Sequence, residues 1–269
     1  MALKLNATRE AYQEFYGRNV DQMPKLIADG RVPMNTAQLM QRRLDVRNSD
    51  AKVKSAYMDN YFDTGDAVVY HPDGRVKIVL DSQTLREMTP DTQRVGGALL
   101  LTEDVYNALE GEEFKKGKLG KVNEWLSRED VKAHPVWRVL ARDQGLLKDY
   151  TDHIFGEYQA GFAKGTPLED VRAMGVFSDS AGDQPKMRAC CVDWLEDGSS
   201  ADGGGGLDDD YGRLVGIAPE ALSAPGKGAS NIKAYTMADL QAVDKAMKGL
   251  EGTLHPDVLK PFAELRKKL

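Results

Sequence analysis

The sequence predicts an α+β protein that is helix-rich, with a β-hairpin, a small mixed or antiparallel sheet and a C-terminal helical hairpin. Three observations lead there. Helix-capping signals recur along the chain, strand-like runs are short and scattered, and the strongest turn signal joins two such runs. Helices interleaved with a hairpin and isolated strands fit α+β better than a regular βαβ repeat.

In chain order, Thr8 can cap a first helix reaching about Tyr16, with Gly17 and Asn19 ending it. Asn35 or Thr36 opens the next, because Gln38 stands three beyond Asn35 and Leu39, Met40 and Leu44 form a stripe. Runs 67–70 and 75–80 flank His71-Pro72-Asp73-Gly74, where proline presets one dihedral and glycine accepts positive φ, so a hairpin is expected. Segment 98–101 reads as a strand followed by the helix cap Thr102. Leu119, Val122, Trp125 and Leu126 share a helical face, which assigns Trp125 to the core. Ser127 with Asp130 makes another cap.

The longest periodic run is 135–158, where Val136, Leu140, Leu147, Tyr150, Ile154 and Tyr158 fall on one face and Gly145 bends or interrupts it. Thr166-Pro167-Leu168-Glu169 has the composition of a helix start. Strands are expected at 176–177, 187–194 and 213–217.

Three parts are expected in all. Residues 1–220 form the α+β main domain, carrying an acidic, glycine-rich insertion at 195–212; 221–231 is a linker. Residues 232–269 form a helical hairpin with two apolar stripes, docked on the main domain or on a partner because so short a piece cannot bury both alone. The 41% apolar and 29% charged fractions are those of a globular chain. Charged residues interrupt 1–20, and no apolar run is long enough to span a bilayer, so a cytoplasmic location without membrane contact is expected.

The net charge of −6 is unevenly spread. Segment 115–150 has nine Lys/Arg against five Asp/Glu, whereas 193–210 has seven Asp/Glu and no base. An acidic face repels phosphate backbones, which argues against nucleic acid as the default partner.

Several constellations invite chemistry. Asp193, Asp197, Asp202, Asp208, Asp209 and Asp210 could supply oxygen ligands to a hard cation, calcium fitting a flexible carboxylate ring better than magnesium. Segment 203–208 copies the opening of a calcium-binding β-roll repeat, but Asp210 stands where a large apolar residue belongs, and there is a single copy. A mobile, hydrated loop is the bland alternative, given the entropy four glycines lose on ordering. Lys116, Lys118 and Lys121 lie in a glycine-punctuated basic turn that could hold a phosphate, although Leu119 replaces the hydroxyl a Walker loop needs.

Ser178-Asp179-Ser180-Ala181-Gly182 is one residue from a nucleophile elbow, but Pro185 denies it the helix that must follow, so a polar turn is expected. Cys190 and Cys191 are adjacent, so on a strand they point to opposite faces and read as small core residues. His71, His134 and His255 each precede a proline, and His153 stands alone on the long helix; structural roles suffice for all four.

Every catalytic template fails at a required position, so the leading reading is a non-enzymatic binding or interaction protein with an unidentified protein partner. The alternative is a divalent-metal-dependent hydrolase using carboxylates of 193–210. A third is a phosphate or nucleic-acid binder through 115–121.

Overall fold

Two long strands organise the molecule, and most of the others are too short to stand without them. A computed structural model of the chain describes residues 10–222. The strands are β1 (Tyr12–Tyr16), β2 (Val32–Pro33), β3 (Phe62–Tyr70), β4 (Val76–Val79), β5 (Arg94–Val95), β6 (Ala98–Leu100), β7 (Glu112–Phe114), β8 (Val176–Phe177), β9 (Lys186–Val192), β10 (Ala201–Asp202) and β11 (Arg213–Ile217). The helices are α1 (Asn19–Ala28), α2 (Thr36–Asp45), α3 (Ala51–Met58), α4 (Gln83–Arg86), α5 (Glu103–Ala108), α6 (Arg128–Ala133), α7 (Pro135–Ala141), α8 (Gln144–Phe162) and α9 (Pro219–Leu222).

The strands form one 11-stranded sheet whose main path runs β1-β11-β3-β9-β10-β8. It is mixed: β11 with β3 and β10 with β8 are parallel, and the remaining pairs are antiparallel. This overturns the expected helix-rich body with a small sheet, because the sheet is the body. Four of its strands are two residues long and two are three, too short for period-two alternation to show in a sequence. They exist because neighbours offer them ladders: β6 and β10 pair with β9, β2 with β11, β7 with β4, β5 with β6 and β8 with β10.

Pairing also decides the fate of 12–16. The expected helix there is the strand β1, in register with β11 from Tyr12↔Ile217 to Tyr16↔Arg213. Tyr, Phe and Tyr suit a pleated surface, and the waiting ladder outweighs a cap at Thr8. The hairpin β3–β4 turns through 71–74, with the His71 amide donating to the Arg75 carbonyl at 2.9 Å. Asn35 caps α2 through a reciprocal box with Gln38.

Other expectations fail for local reasons. Segment 119–126 is irregular, and Leu126 bridges Ala173 as a β-partner, leaving Trp125 39% exposed and edge-on to Tyr158. Thr166–Glu169 makes a turn instead of a helix, since the chain must deliver Val171, Ala173 and Met174 to the core. The 135–158 run breaks into α7 and α8 at Arg142, not Gly145; Arg142 is left-handed (φ 61°), and Asp143 caps α8. The expected hairpin over 232–269, and the linker beyond residue 222, lie outside the described residues.

Apolar side chains gather on the two sheet faces. One cluster packs α6, α7 and α8 against Val68, Tyr70, Ile78 and Cys190; another packs α1, α4 and α5 against Val69, Val79, Met187 and Leu214. A register shift in β3 between Asp63 and Ala67 interrupts this alternation and turns Asp66 inward. Fully buried, Asp66 accepts from the amides of Thr36 and Asp81, both at 2.9 Å, and from Arg142 at 2.7 Å. Arg142 also reaches Asp81 at 2.5 Å, which joins the start of α2, the end of β4 and the α7–α8 corner at one point. Against the opposing effect of burial, hydrogen bonds from Arg142 and Asn35 and the charges of Arg142 and Arg86 hold the Asp81 carboxyl below its ordinary range.

Asp66→Ala leaves Arg142 with Asp81 alone and strands two amides. An expected loss of about 3 kcal/mol, measured by urea unfolding, follows; a loss of under about 1 kcal/mol would show that the junction holds without it.

Candidate functional site: an acidic and aromatic face on an anchored loop

Segment 193–212 connects β9 to β11 and crosses β10 on the way, and its backbone is held from beneath by two buried arginines. Arg43, on α2, has no exposed surface and uses all five N–H groups. Its Nε donates to the Tyr57 carbonyl at 2.9 Å. Nη1 donates to the Tyr150 hydroxyl at 2.8 Å and Ser199 Oγ at 3.2 Å, and Nη2 to the carbonyls of Asn60 at 3.0 Å and Asp193 at 2.9 Å. Arg188, on β9, donates through Nε to Asp179 at 3.0 Å, through Nη1 to the Gly205 carbonyl at 2.9 Å and through Nη2 to the Gly96 carbonyl at 2.7 Å. Lys186 meets the same Asp179 oxygen at 2.7 Å, and these cations and the Ser180 amide hold its carboxyl low against burial.

The glycines serve close approach. A Cβ on Gly203 would lie 2.3 Å from the Tyr70 hydroxyl, which donates to the Gly203 carbonyl at 3.1 Å. Gly97, at φ 76°, touches Gly206 so closely that a Cβ would sit 2.8 Å from its Cα. Leu207 then drops into the core, its amide on the Gly97 carbonyl at 2.8 Å and its own carbonyl receiving the Val20 amide at 3.0 Å. The order of this loop needs no ligand to explain it.

Outward from these anchors lies a line of rings. Tyr61 and Trp194 meet at 5.5 Å between centroids, tilted 56° to each other, and the Arg213 guanidinium lies 5.3 Å from the rings of both Tyr61 and Tyr16. Arg213 also pairs with Glu14 at 2.9 Å and bonds the Asn60 side chain, while the Tyr61 hydroxyl donates to the Tyr211 carbonyl. Tyr16 and Tyr211 are 53% and 59% exposed, unusual for rings that size on a folded surface. The closing pair β1–β11 brings residues 16 and 213 together, and β3 with β9 adds 61 and 194.

Beside the rings the sheet register concentrates carboxylates. Cys191 is paired with Asp63 on one side and Asp202 on the other, so the three share a row, with Asp193 two residues on. Burial and then the charge of Asp202 push Asp193 up to about 7, with Asp197 and Asp63 adding and Arg43 opposing. Asp63 and Asp202 are also raised, chiefly by burial, and burial lifts the Cys191 thiol well above its normal value.

Of the six aspartates singled out from the sequence, Asp193, Asp197, Asp202 and Asp209 lie at or behind this face without converging on one point. Asp202 accepts from the Gly204 amide at 2.7 Å, Asp208 from Arg94 at 3.4 Å and Asp209 from the Gly206 amide at 3.0 Å. Asp197 and Asp210 are exposed, and Asp193 is half-buried. Among the described residues, no group of three or more His, Cys, Asp or Glu side chains comes together in a way that could hold a metal ion. The basic turn is dispersed too. Lys116 packs over Gly74, Lys118 is exposed, and Lys121 pairs with Asp130 at 2.9 Å, lowering that carboxyl; the next helix, α6, begins only at Arg128.

Arg43, Arg188, Asp63, Tyr61, Trp194 and Tyr211 carry this site, and sequence reading passes over them. One signal was present: Arg188 interrupts an otherwise apolar strand, where a cation survives only with dedicated acceptors.

No family model and no curated protein matches the chain. A solved structure described as "Accommodation of massive sequence variation in Nanoarchaeota by the C-type lectin fold" does. It is 14% identical, with a TM-score of 0.57, and the match covers 79% of this chain and 100% of that one. The likeness is one of fold: an 11-stranded mixed sheet in the manner of a C-type lectin replaces the small sheet expected from sequence. No helix among the described residues is long and apolar enough to cross a membrane.

A carboxyl raised in the folded state keeps its proton where the unfolded chain has lost it. Its stabilising share is therefore complete below about pH 4 and vanishes as pH rises through about 7. His134 and His153, both lowered by burial, contribute in the opposite sense, so the informative quantity is a difference. Asp193→Asn should gain melting temperature relative to the unaltered chain as pH rises from about 5 to about 8. A difference that stays constant over that range in scanning calorimetry contradicts the raised carboxyl.

Proposed function

We propose that this chain is a binding protein whose recognition face consists of segment 193–213 together with the end of β1 and the start of β3. The single observation that carries the reading is the division of labour in the loop. Its course is set by backbone contacts to Arg43 and Arg188, while Trp194, Glu196, Asp197, Asp210 and Tyr211 are left at least partly open to solvent. Rigid exposed aromatics supply contact area at little entropic cost, and a preordered loop has less freedom to lose on association.

The C-type lectin fold supports the same reading. The neighbouring structure is described as that fold accommodating massive sequence variation. A loop tied down by its main chain is physically suited to this, since exchanging outward side chains leaves its anchors in place. Surface substitutions away from packed or bonded features typically shift stability within about 0.5 kcal/mol.

The test is a library varying Trp194, Glu196, Asp197, Asp210 and Tyr211 together, assayed for melting temperature and for retention on glycan and peptide arrays. Most members should melt within a few degrees of the parent while their array profiles diverge. General unfolding, or profiles indifferent to all five positions, would contradict the proposal.

A further inference from the structure

Resting on that binding reading, we infer that the partner segment is a lysine- or arginine-rich polypeptide, its cations lying on the Tyr61–Trp194–Tyr211 rings against the carboxylates around them. Charge is the first ground. Glu14, Asp63, Asp193, Asp197, Asp202 and Asp209 meet at this face or directly behind it, and among the described residues Arg213 is the one cation placed among the rings. Crowding of like charges raises the free energy of the unliganded face, and a cation relieves it.

Arg213 is the second ground, because it shows how the face receives a guanidinium. It lies between two tyrosine rings with a carboxylate at 2.9 Å and an amide oxygen on the other side. Trp194 and Tyr211 extend the same chemistry outward with ring surface that no cation among the described residues covers. A third ground lies beneath. Asn19 is 1% exposed and donates to Asp63, but its Oδ1 finds no donor; it faces Gly212 at the foot of the face. An acceptor left over beside carboxylates adds to the negative potential that draws cations.

The ligand chemistry is narrow. A phosphate backbone or an acidic glycan is repelled, and a neutral sugar would stack on the rings without discharging the carboxylates. A basic polypeptide meets both features, and several cations on one segment match several carboxylates on one face.

The experiment uses the full chain and two labelled peptides, one alternating lysine with serine and one identical but acetylated at each lysine, followed by fluorescence anisotropy at low and high salt. The lysine peptide should bind, the acetylated one should not, and high salt should weaken binding at least about tenfold. Asp197→Lys should weaken it roughly tenfold, and Trp194→Ala with Tyr211→Ala roughly fivefold. Glu129→Lys makes the same change in net charge on α6 and should stay within about twofold. Melting temperatures of all variants confirm folding.

The inference is overturned if neither the lysine peptide nor an arginine counterpart binds, if acetylation makes no difference, or if Glu129→Lys weakens binding as much as Asp197→Lys. Should the array ligands depend on Trp194 and Tyr211 but prove neutral or acidic, the cationic partner fails and the binding face stands. Should nothing depend on them, both fall.

Discussion

Two buried guanidinium groups hold the 193–207 segment by its main chain, and the character of the exposed face follows from that restraint. Taking an arginine out of water is costly unless its donors are met. Arg43 meets the cost with three carbonyls and two hydroxyls, and Arg188 with two carbonyls and Asp179. Because most of these acceptors are backbone oxygens, the bonds depend on the path of the chain and little on side-chain identity. The loop keeps its course while its outward residues are free to be aromatic or acidic. The same cations lie under a cluster of carboxylates, whose mutual repulsion they partly offset.

The sheet determines where the loop sits. β1 and β11 close the described region by pairing its two ends, and β3 and β9 run through the middle. Residues nearly two hundred positions apart, Tyr16 and Arg213, become direct neighbours in this way. Asp66 and Arg142 perform a comparable service at the α7–α8 corner, where a carboxylate turned inward by a strand irregularity becomes the tie between helices and sheet. Both cases show a buried charge retained where it joins segments that apolar packing alone would leave free to slide.

Much of the local structure was legible in the sequence. The Asn35–Gln38 box, the Ser127 and Thr102 caps, the turn at 71–74 and the strands at 176–177 and 213–217 all follow from short-range chemistry. The architecture was not, because a two-residue strand such as β10 has no period of its own and is defined by β9 beside it. For the same reason 12–16 read as helix until its partner at 213–217 was known. At the site, the acidity of 193–210 was evident, but its order was hidden. Four glycines read as freedom, whereas a Cβ on Gly203 would meet the Tyr70 hydroxyl and one on Gly206 the Asp209 carboxylate. The rings went unnoticed since Tyr16, Tyr61, Trp194 and Tyr211 meet only after the sheet has formed.

Amide hydrogen exchange, read residue by residue in the unaltered chain and in Arg188→Met, tests the anchoring most directly. Anchoring by Arg188 predicts that the amides of Gly203, Gly206 and Leu207 exchange slowly in the unaltered chain, in keeping with their bonds to Phe177, Asp209 and Gly97. In Arg188→Met they should lose protection while β3 and β9 keep theirs. Free exchange at those three positions in the unaltered chain, or full protection in the variant, would contradict it.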